Sequence, residues 1–170
     1  MNRFMNLIGI KSRKASEIKI NTTAKNKVLN SYSRLIDKEK KLIFRENIKD
    51  VKFAKNKKLK ENLINRLRID EVKLKGIKDS INKISKLKDP VNVALKKWKR
   101  PNGLNINRVT IPIGVIGVIY ESRPNVTSDV ASLCFKSGNA VILKGGSEAI
   151  NTNRILAKLF RQALKKNKVN

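Results

Sequence analysis

Residues 113–148 hold two short apolar runs separated by a helical pattern, and this arrangement limits the fold more than any other feature of the sequence. The first run, Ile113–Tyr120, is interrupted only by Gly114 and Gly117 and lacks the polar alternation of a half-exposed strand, so it predicts a buried strand. The second run covers residues 140–143. Two such strands joined by a helix predict a βαβα unit with a right-handed crossover between parallel strands.

The segment between the two runs reads as a helix. Pro124 biases Arg123 away from helical dihedrals, Asn125 or Thr127 is the predicted N-cap, and residues 137–139 (Ser-Gly-Asn) end the helix. Its predicted inner face carries Val126, Val130, Leu133 and Cys134. Ser147 is the predicted N-cap of a last helix that follows the second strand.

Between the second strand and the last helix lies the glycine loop Lys144-Gly145-Gly146. Parallel strands bring such loops and helix N-termini to their carboxyl edge, where nucleotides and phosphates usually bind. Neither GxGxxG nor GxxxxGK[ST] is present, so the pattern by itself leaves a plain strand-to-helix turn as an equal alternative.

The first half of the chain is predicted to be helical. Residues 1–20 form a basic amphipathic segment that we interpret as a docking helix. Thr22 or Thr23 is a predicted cap of the next helix, and Asp70 of a later one. The apolar positions at helical spacing are Val28, Leu29, Tyr32, Leu35 and Ile36, then Phe44, Ile48 and Val51 on a second helix or a bent continuation, then Leu63, Ile64 and Leu67, and finally Leu74, Ile77, Ile81 and Ile84.

Pro90 ends the helical half, and alternating apolar residues follow on both sides of the turn sequence at residues 100–103 (Arg-Pro-Asn-Gly). This pattern predicts a strand-turn-strand arm, with a long loop as the alternative. The sequence thus divides into a helical region (residues 1–89), a hairpin arm (90–112) and an α/β region (113–170).

The chain carries 40 Lys and Arg against 13 Asp and Glu, a net charge of +27, which raises a nucleic-acid-binding module as an alternative function. Aromatic residues are only 5% of the chain and the basic residues, mostly lysine, are spread along the helices, which disfavours that alternative. The absence of histidine excludes Ser-His-Asp and Cys-His catalysis within the chain, and no metal site is predicted. No run is long enough to span a membrane, and no signal sequence is evident, so a cytoplasmic location is expected.

Three stretches of the sequence resemble the γ-glutamyl phosphate reductases (glutamate-5-semialdehyde dehydrogenases), a family within the aldehyde dehydrogenase superfamily. They are RVTIPIGVIGVIYESRPNVTSDVASLCFKSGNAVILKGGSEA, RLRIDEVKLKGIKDSINKISKLKDPV and WKRPNGLNINRV. The resemblance runs from about Asn6 to the C-terminus, whereas the family's chain is more than twice as long. It implies N-terminal helices, a hairpin arm of the oligomerisation region, and the first βαβα unit of an aldehyde dehydrogenase-type nucleotide-binding domain, which is incomplete here.

The resemblance also implies an activity, the NADPH-dependent reduction of γ-glutamyl phosphate to glutamate 5-semialdehyde in proline biosynthesis. In the family a cysteine thiolate attacks the acyl phosphate, and that cysteine lies beyond the last residue of this chain. Cys134 lies elsewhere and is interpreted as structural, so the chain contains no catalytic residue and is expected to be inactive alone. A homo-oligomer and a complementing C-terminal portion are both open as partners, and a truncated product without activity is a further alternative.

The resemblance also implies part of a cofactor-binding site. The implied cofactor-binding residues are Lys144 and Ser147 at the adenosine ribose or its phosphate, and Tyr120, Glu121 and Ser122 on the nicotinamide side. Ser147 stands where NAD-preferring relatives commonly have glutamate, which favours NADP. Arg123 is the candidate for binding the substrate's phosphate, with a surface arginine as the alternative.

Overall fold

The structure is a computed structural model that describes residues 3–169; Met1, Asn2 and Asn170 lie outside the described residues. The described chain forms seven α-helices, four strands and one short 3₁₀ turn. In chain order the elements are α1 (Arg3–Ser16), α2 (Thr22–Lys38), α3 (Lys40–Asn56), α4 (Glu61–Leu67), α5 (Glu71–Lys86), β1 (Ala94–Lys99), β2 (Asn105–Val109), β3 (Val115–Tyr120), α6 (Pro124–Lys136), β4 (Ala140–Gly145), the 3₁₀ turn (Ser147–Ala149) and α7 (Ile150–Lys166).

The main hydrophobic core lies among the helices. It joins α2, α3 and α5 from the first half of the chain to α6 and α7 from the second. The predicted inner faces of α2 and α5 are confirmed, and so is Asp70 as the cap of α5, because its side chain accepts a hydrogen bond from the backbone of Lys73. Tyr32 is fully buried and donates to, or accepts from, Ser128 at 2.8 Å, which links α2 to α6.

Two details of the first helices differ from the sequence-based expectation. The cap of α2 is Asn21 rather than Thr22 or Thr23, because its side chain accepts from the backbone of Ala24. The buried face of α3 is shifted by one residue, to Ile43, Asn47, Asp50 and Ala54, and leaves the predicted core residue Ile48 54% exposed. The reason is that the polar side chains of Asn47 and Asp50 find buried hydrogen-bond partners, so burial is not reserved for apolar residues.

Strands β3 and β4 pair in parallel, from Val115↔Ala140 to Tyr120↔Gly145, and α6 connects them as predicted. Helix α6 packs on β4, and α1 lies against both strands. The prediction that the first strand is buried is wrong, since Ile119 is 85% exposed. The sheet in the described part of the chain has only two strands, which is too small to be enclosed on both faces.

Helix α6 begins and faces differently from the prediction. It starts at Pro124, which suits the first turn of a helix because it has no N–H to leave unpaired, and no side chain caps it. Leu133, predicted to face inward, is 48% exposed. The buried side is instead formed mainly by small and hydroxyl-bearing residues, namely Thr127, Ser128, Ala131, Ser132 and Cys134, together with Pro124, Phe135 and Lys136. A hydrophobic pattern could not identify this face, because several of its side chains are polar.

Ser147 does not cap the last helix. It opens the 3₁₀ turn, and α7 begins three residues later, at Ile150. The backbone N–H groups of Asn151 and Thr152 donate to the carboxylate of Asp50 on α3. The cap therefore comes from a residue about a hundred positions away, which local sequence patterns do not reveal.

The arm is a hairpin, as predicted, and not a loop: β1 and β2 pair antiparallel and most of their residues are exposed. Gly103 has a φ of 86° in the connecting turn, where its N–H donates to the carbonyl of Arg100. In residues 3–169 no helix combines the length and apolar character that crossing a bilayer requires.

Candidate functional site

The site predicted from the sequence lies where β3 and β4 end. Tyr120 and Gly145 are the last pair of the ladder, so the segments that follow them leave the sheet side by side. We call residues 120–123 and 144–148 the carboxyl edge. Ligands of open α/β sheets bind at such edges, because loops and helix termini converge there.

The six predicted site residues fall into two groups at the carboxyl edge. Glu121, Arg123, Lys144 and Ser147 are exposed. Tyr120 and Ser122 are turned into the protein. Only the first group offers side chains to a ligand directly, while the second holds the loop in place.

Ser122 is tied to the neighbouring loop by Glu148. Its backbone N–H and its hydroxyl both donate to Oε1 of Glu148, at 2.9 and 2.8 Å, and Ser122 is only 4% exposed. A Cβ atom at Gly146 would collide with the Glu148 carboxylate, so a larger residue there would push this side chain away from Ser122. No sequence pattern singled out Glu148, although it follows the predicted cofactor residue Ser147 directly.

A second set of hydrogen bonds connects the end of β3 to helices α6 and α7. The Thr127 hydroxyl donates to Oδ1 of Asn153 at 2.8 Å, so Tyr120 is the donor in its 2.6 Å hydrogen bond to Thr127. Burial raises the pKa of the Tyr120 phenol, which therefore stays neutral and suits a structural role. A Cβ at Gly145 would overlap Nδ2 of Asn153 and crowd the Tyr120 ring. The glycine thus allows α7 to approach the end of β4 closely.

The N-terminus of α7 is already paired with an anion of the protein. Asp50, almost fully buried, accepts hydrogen bonds from the backbone N–H groups of Asn151 and Thr152 at 3.1 and 2.7 Å, and from their side chains at 2.8 and 2.6 Å. A ligand phosphate would find these donors occupied. Phosphate binding at the carboxyl edge would therefore depend on exposed side chains, and Lys144, near the end of β4, is the cation on that side.

A cleft of about 550 Å³ adjoins the carboxyl edge at Arg123. It lies between helices α4 and α5 on one side and the start of α6 on the other. Its lining residues are Asn65, Arg66, Ile69, Lys73, Gly76, Ile77, Arg123, Pro124, Asn125 and Asp129. The cleft is therefore continuous with the loop after β3.

Cys134, the single cysteine of the sequence, belongs to the interior of α6. It is 7% exposed, and burial raises the pKa of its thiol. Because a nucleophilic cysteine requires an accessible thiolate, the structure agrees with a structural role for this residue.

No protein-family model matches the chain. It is nevertheless 50% identical over 146 residues to γ-glutamyl phosphate reductase of Hydrogenobaculum sp. (strain Y04AAS1), covering 86% of this chain and 33% of that protein. The crystal structure of γ-glutamyl phosphate reductase from Thermotoga maritima superposes with a TM-score of 0.89 at 39% identity, covering 92% of this chain and 38% of the other.

An acetylating aldehyde dehydrogenase from Geobacillus thermoglucosidasius shares the fold, with a TM-score of 0.64 at 16% identity over 94% of this chain and 33% of that one. The α/β fold predicted from the sequence, of the aldehyde dehydrogenase type and incomplete, is thereby confirmed. The chain spans about a third of the length of the curated relatives it matches.

Proposed function

We propose, since this chain belongs to the γ-glutamyl phosphate reductase family, that it forms the N-terminal part of a reductase that converts γ-glutamyl phosphate to glutamate 5-semialdehyde in proline biosynthesis. The observation that carries the proposal is the shared carboxyl edge, where Lys144 and Ser147 lie beside the loop that leads to Arg123 and the cleft. A nucleotide and an acyl phosphate could meet there. The scarcity of aromatic residues and the spread of the lysines along the helices disfavour the alternative of a nucleic-acid-binding module.

The exposed residues fit NADP in our proposal. Lys144 offers a cation and Ser147 a hydroxyl, which together suit a phosphate on the adenosine ribose. The nearest carboxylate in the sequence is that of Glu148. Its Oε1 accepts two hydrogen bonds from Ser122 and therefore points toward Ser122 and not toward the ribose phosphate. Glu121 and the loop held by Tyr120 and Ser122 would flank the nicotinamide. When bound, the cofactor supplies the hydride for the reduction.

The substrate would enter through the cleft, with Arg123 pairing to its phosphate. Residues of this chain would bind and orient the substrate and the cofactor, but the attacking thiolate would come from elsewhere, because Cys134 is buried. We therefore propose that a complementing C-terminal portion supplies the nucleophile. The division into a helical region, a hairpin arm for oligomerisation and a nucleotide-binding region stays part of this proposal.

The test is a pair of fluorescence titrations, with NADPH and with NADH, on the wild-type chain and on Lys144→Ala. We expect Lys144→Ala to weaken NADPH binding about tenfold, because the 2′-phosphate loses a charge-assisted partner, and to weaken NADH binding less. Lys41→Ala, which removes an exposed lysine from α3, is the matched control for the loss of one charge. Equal losses for both nucleotides would refute the assignment to the 2′-phosphate, and unchanged binding would remove Lys144 from the site.

A further inference from the structure

The cleft beside Arg123 is lined by charges of both signs. Arg66 and Arg123 contribute two guanidinium groups that have no hydrogen bond or ion pair to any side chain among residues 3–169. Lys73 is different, because its ammonium group donates to the backbone carbonyls of Asn65 and Arg68. The two arginines are therefore the cations that the cleft offers to a ligand.

Asp129 is the acidic residue of the same cleft, and only one of its two carboxylate oxygens has a hydrogen-bond partner in the described chain. Oδ2 accepts a hydrogen bond of 3.2 Å from Nδ2 of Asn125, whereas Oδ1 is buried and has no partner in the described chain. An ionised carboxylate can accept about four hydrogen bonds, and a buried acceptor left unpaired is costly. The terminal torsion of aspartate is broad, so rotation can present either oxygen to the cleft.

Between the charged groups the cleft wall is apolar, with Ile69, Ile77 and Pro124. A ligand that matches this lining has a cationic donor, anionic groups and a short aliphatic linker. An α-amino acid with an acidic side chain has all three features. A dicarboxylic acid of the same length lacks the cationic donor and would leave Asp129 unpaired beside its own negative charge.

We infer that Asp129 accepts the α-ammonium group of the substrate and so selects an amino acid over a plain carboxylic acid. Arg66, on α4, pairs with the α-carboxylate, and Arg123, in the carboxyl edge, pairs with the phosphate at the other end. This assignment rests on the proposed function, since it takes an amino-acid acyl phosphate as the substrate. It adds a specificity-determining residue that the sequence patterns did not indicate.

L-Glutamate and glutarate are the probes, because they differ only in the ammonium group. Titration of each into the chain, followed by the backbone amide NMR signals of α6, should show L-glutamate binding about tenfold more tightly than glutarate. Asp129→Asn should abolish this preference by weakening L-glutamate alone. Asp79→Asn, which removes an exposed carboxylate from α5, should keep it. Arg66→Gln should weaken both ligands and leave their ratio unchanged.

Equal affinity for the two probes in the wild-type chain would overturn the inference, and so would the absence of L-glutamate binding. A preference that survives in a folded Asp129→Asn variant would also overturn it, with thermal unfolding used to confirm that the variant is folded. The wild-type comparison requires no variant and decides the matter if Asp129→Asn does not fold. Loss of this selectivity with intact, Lys144-dependent NADPH binding would remove the inference and leave the proposed function standing.

Discussion

The helical core and the β3–β4 sheet differ in how completely they are covered. Leu29, Ile81 and Leu156 in the helices have no exposed surface, whereas Ile119 in β3 is almost fully exposed. The difference shows that burial in this chain is concentrated where helices from both halves meet. The predicted site lies on the other, less covered, part of the molecule.

At its carboxyl edge the sheet is joined to the helices through polar contacts. Thr127 and Asn153 hold the strand ends, Glu148 ties the two loops, and Asp50 fixes the start of α7. Such contacts are few and directional, so removal of one displaces specific groups. Stability and site geometry should therefore respond differently to substitutions in the two regions.

The largest effect is expected from Asp50→Ala. The substitution leaves two backbone N–H groups and two side-chain donors of α7 without their acceptor, in a buried setting. We expect the free energy of unfolding to fall by about 3 kcal/mol, measured by urea denaturation. Asp79→Ala on the exposed surface of α5 is the control. Equal, small losses for both variants would mean that the cap does not couple α3 to α7.

A smaller effect is expected from Cys134→Ala, which removes one buried sulfur from α6. Its cost should be about 1 kcal/mol, since a small cavity replaces a small apolar group. Because burial raises the pKa of the thiol, the native chain should also react with a thiol reagent more slowly than the urea-unfolded chain, with the rate rising toward alkaline pH. Fast labelling of the native chain would contradict the structural role.

The smallest effect is expected from Ile119→Thr. The side chain is exposed on β3, so the free energy of unfolding should change by less than about 0.5 kcal/mol. The variant should be compared with the wild type in the same urea denaturation series, at several protein concentrations. A large, concentration-dependent loss would show that this face is covered by another chain in solution, and the contrast between the two regions would then no longer hold.

Much of the fold could be predicted because local patterns and tertiary packing agree. The parallel strand pair, the hairpin arm, the inner faces of α2 and α5 and the Asp70 cap all follow from periodicity and capping residues. The failures at α3, at α6 and at the start of α7 share a cause, which is burial of polar side chains by partners distant in sequence. Asp50 capping α7 and Ser128 facing Tyr32 are examples that no window of neighbouring residues contains.

The candidate site, like the fold, was predicted only in part. Sequence resemblance indicated Lys144, Ser147 and Arg123, which the fold brings to one edge and its adjoining cleft. It did not indicate Glu148 or Asp129, because their importance arises from hydrogen bonds made, or left unmade, across the fold. Their roles depend on geometry that only the assembled structure provides.

The central claim is that this chain offers a cofactor edge without an accessible nucleophile, and one assay tests it directly. NADPH is mixed with the purified chain, its binding is followed by fluorescence, and γ-glutamyl phosphate is then added while NADPH absorbance is recorded. The account predicts binding of NADPH and no substrate-dependent oxidation, because the Cys134 thiol is buried. Substrate-dependent loss of NADPH that disappears in Cys134→Ser would contradict it.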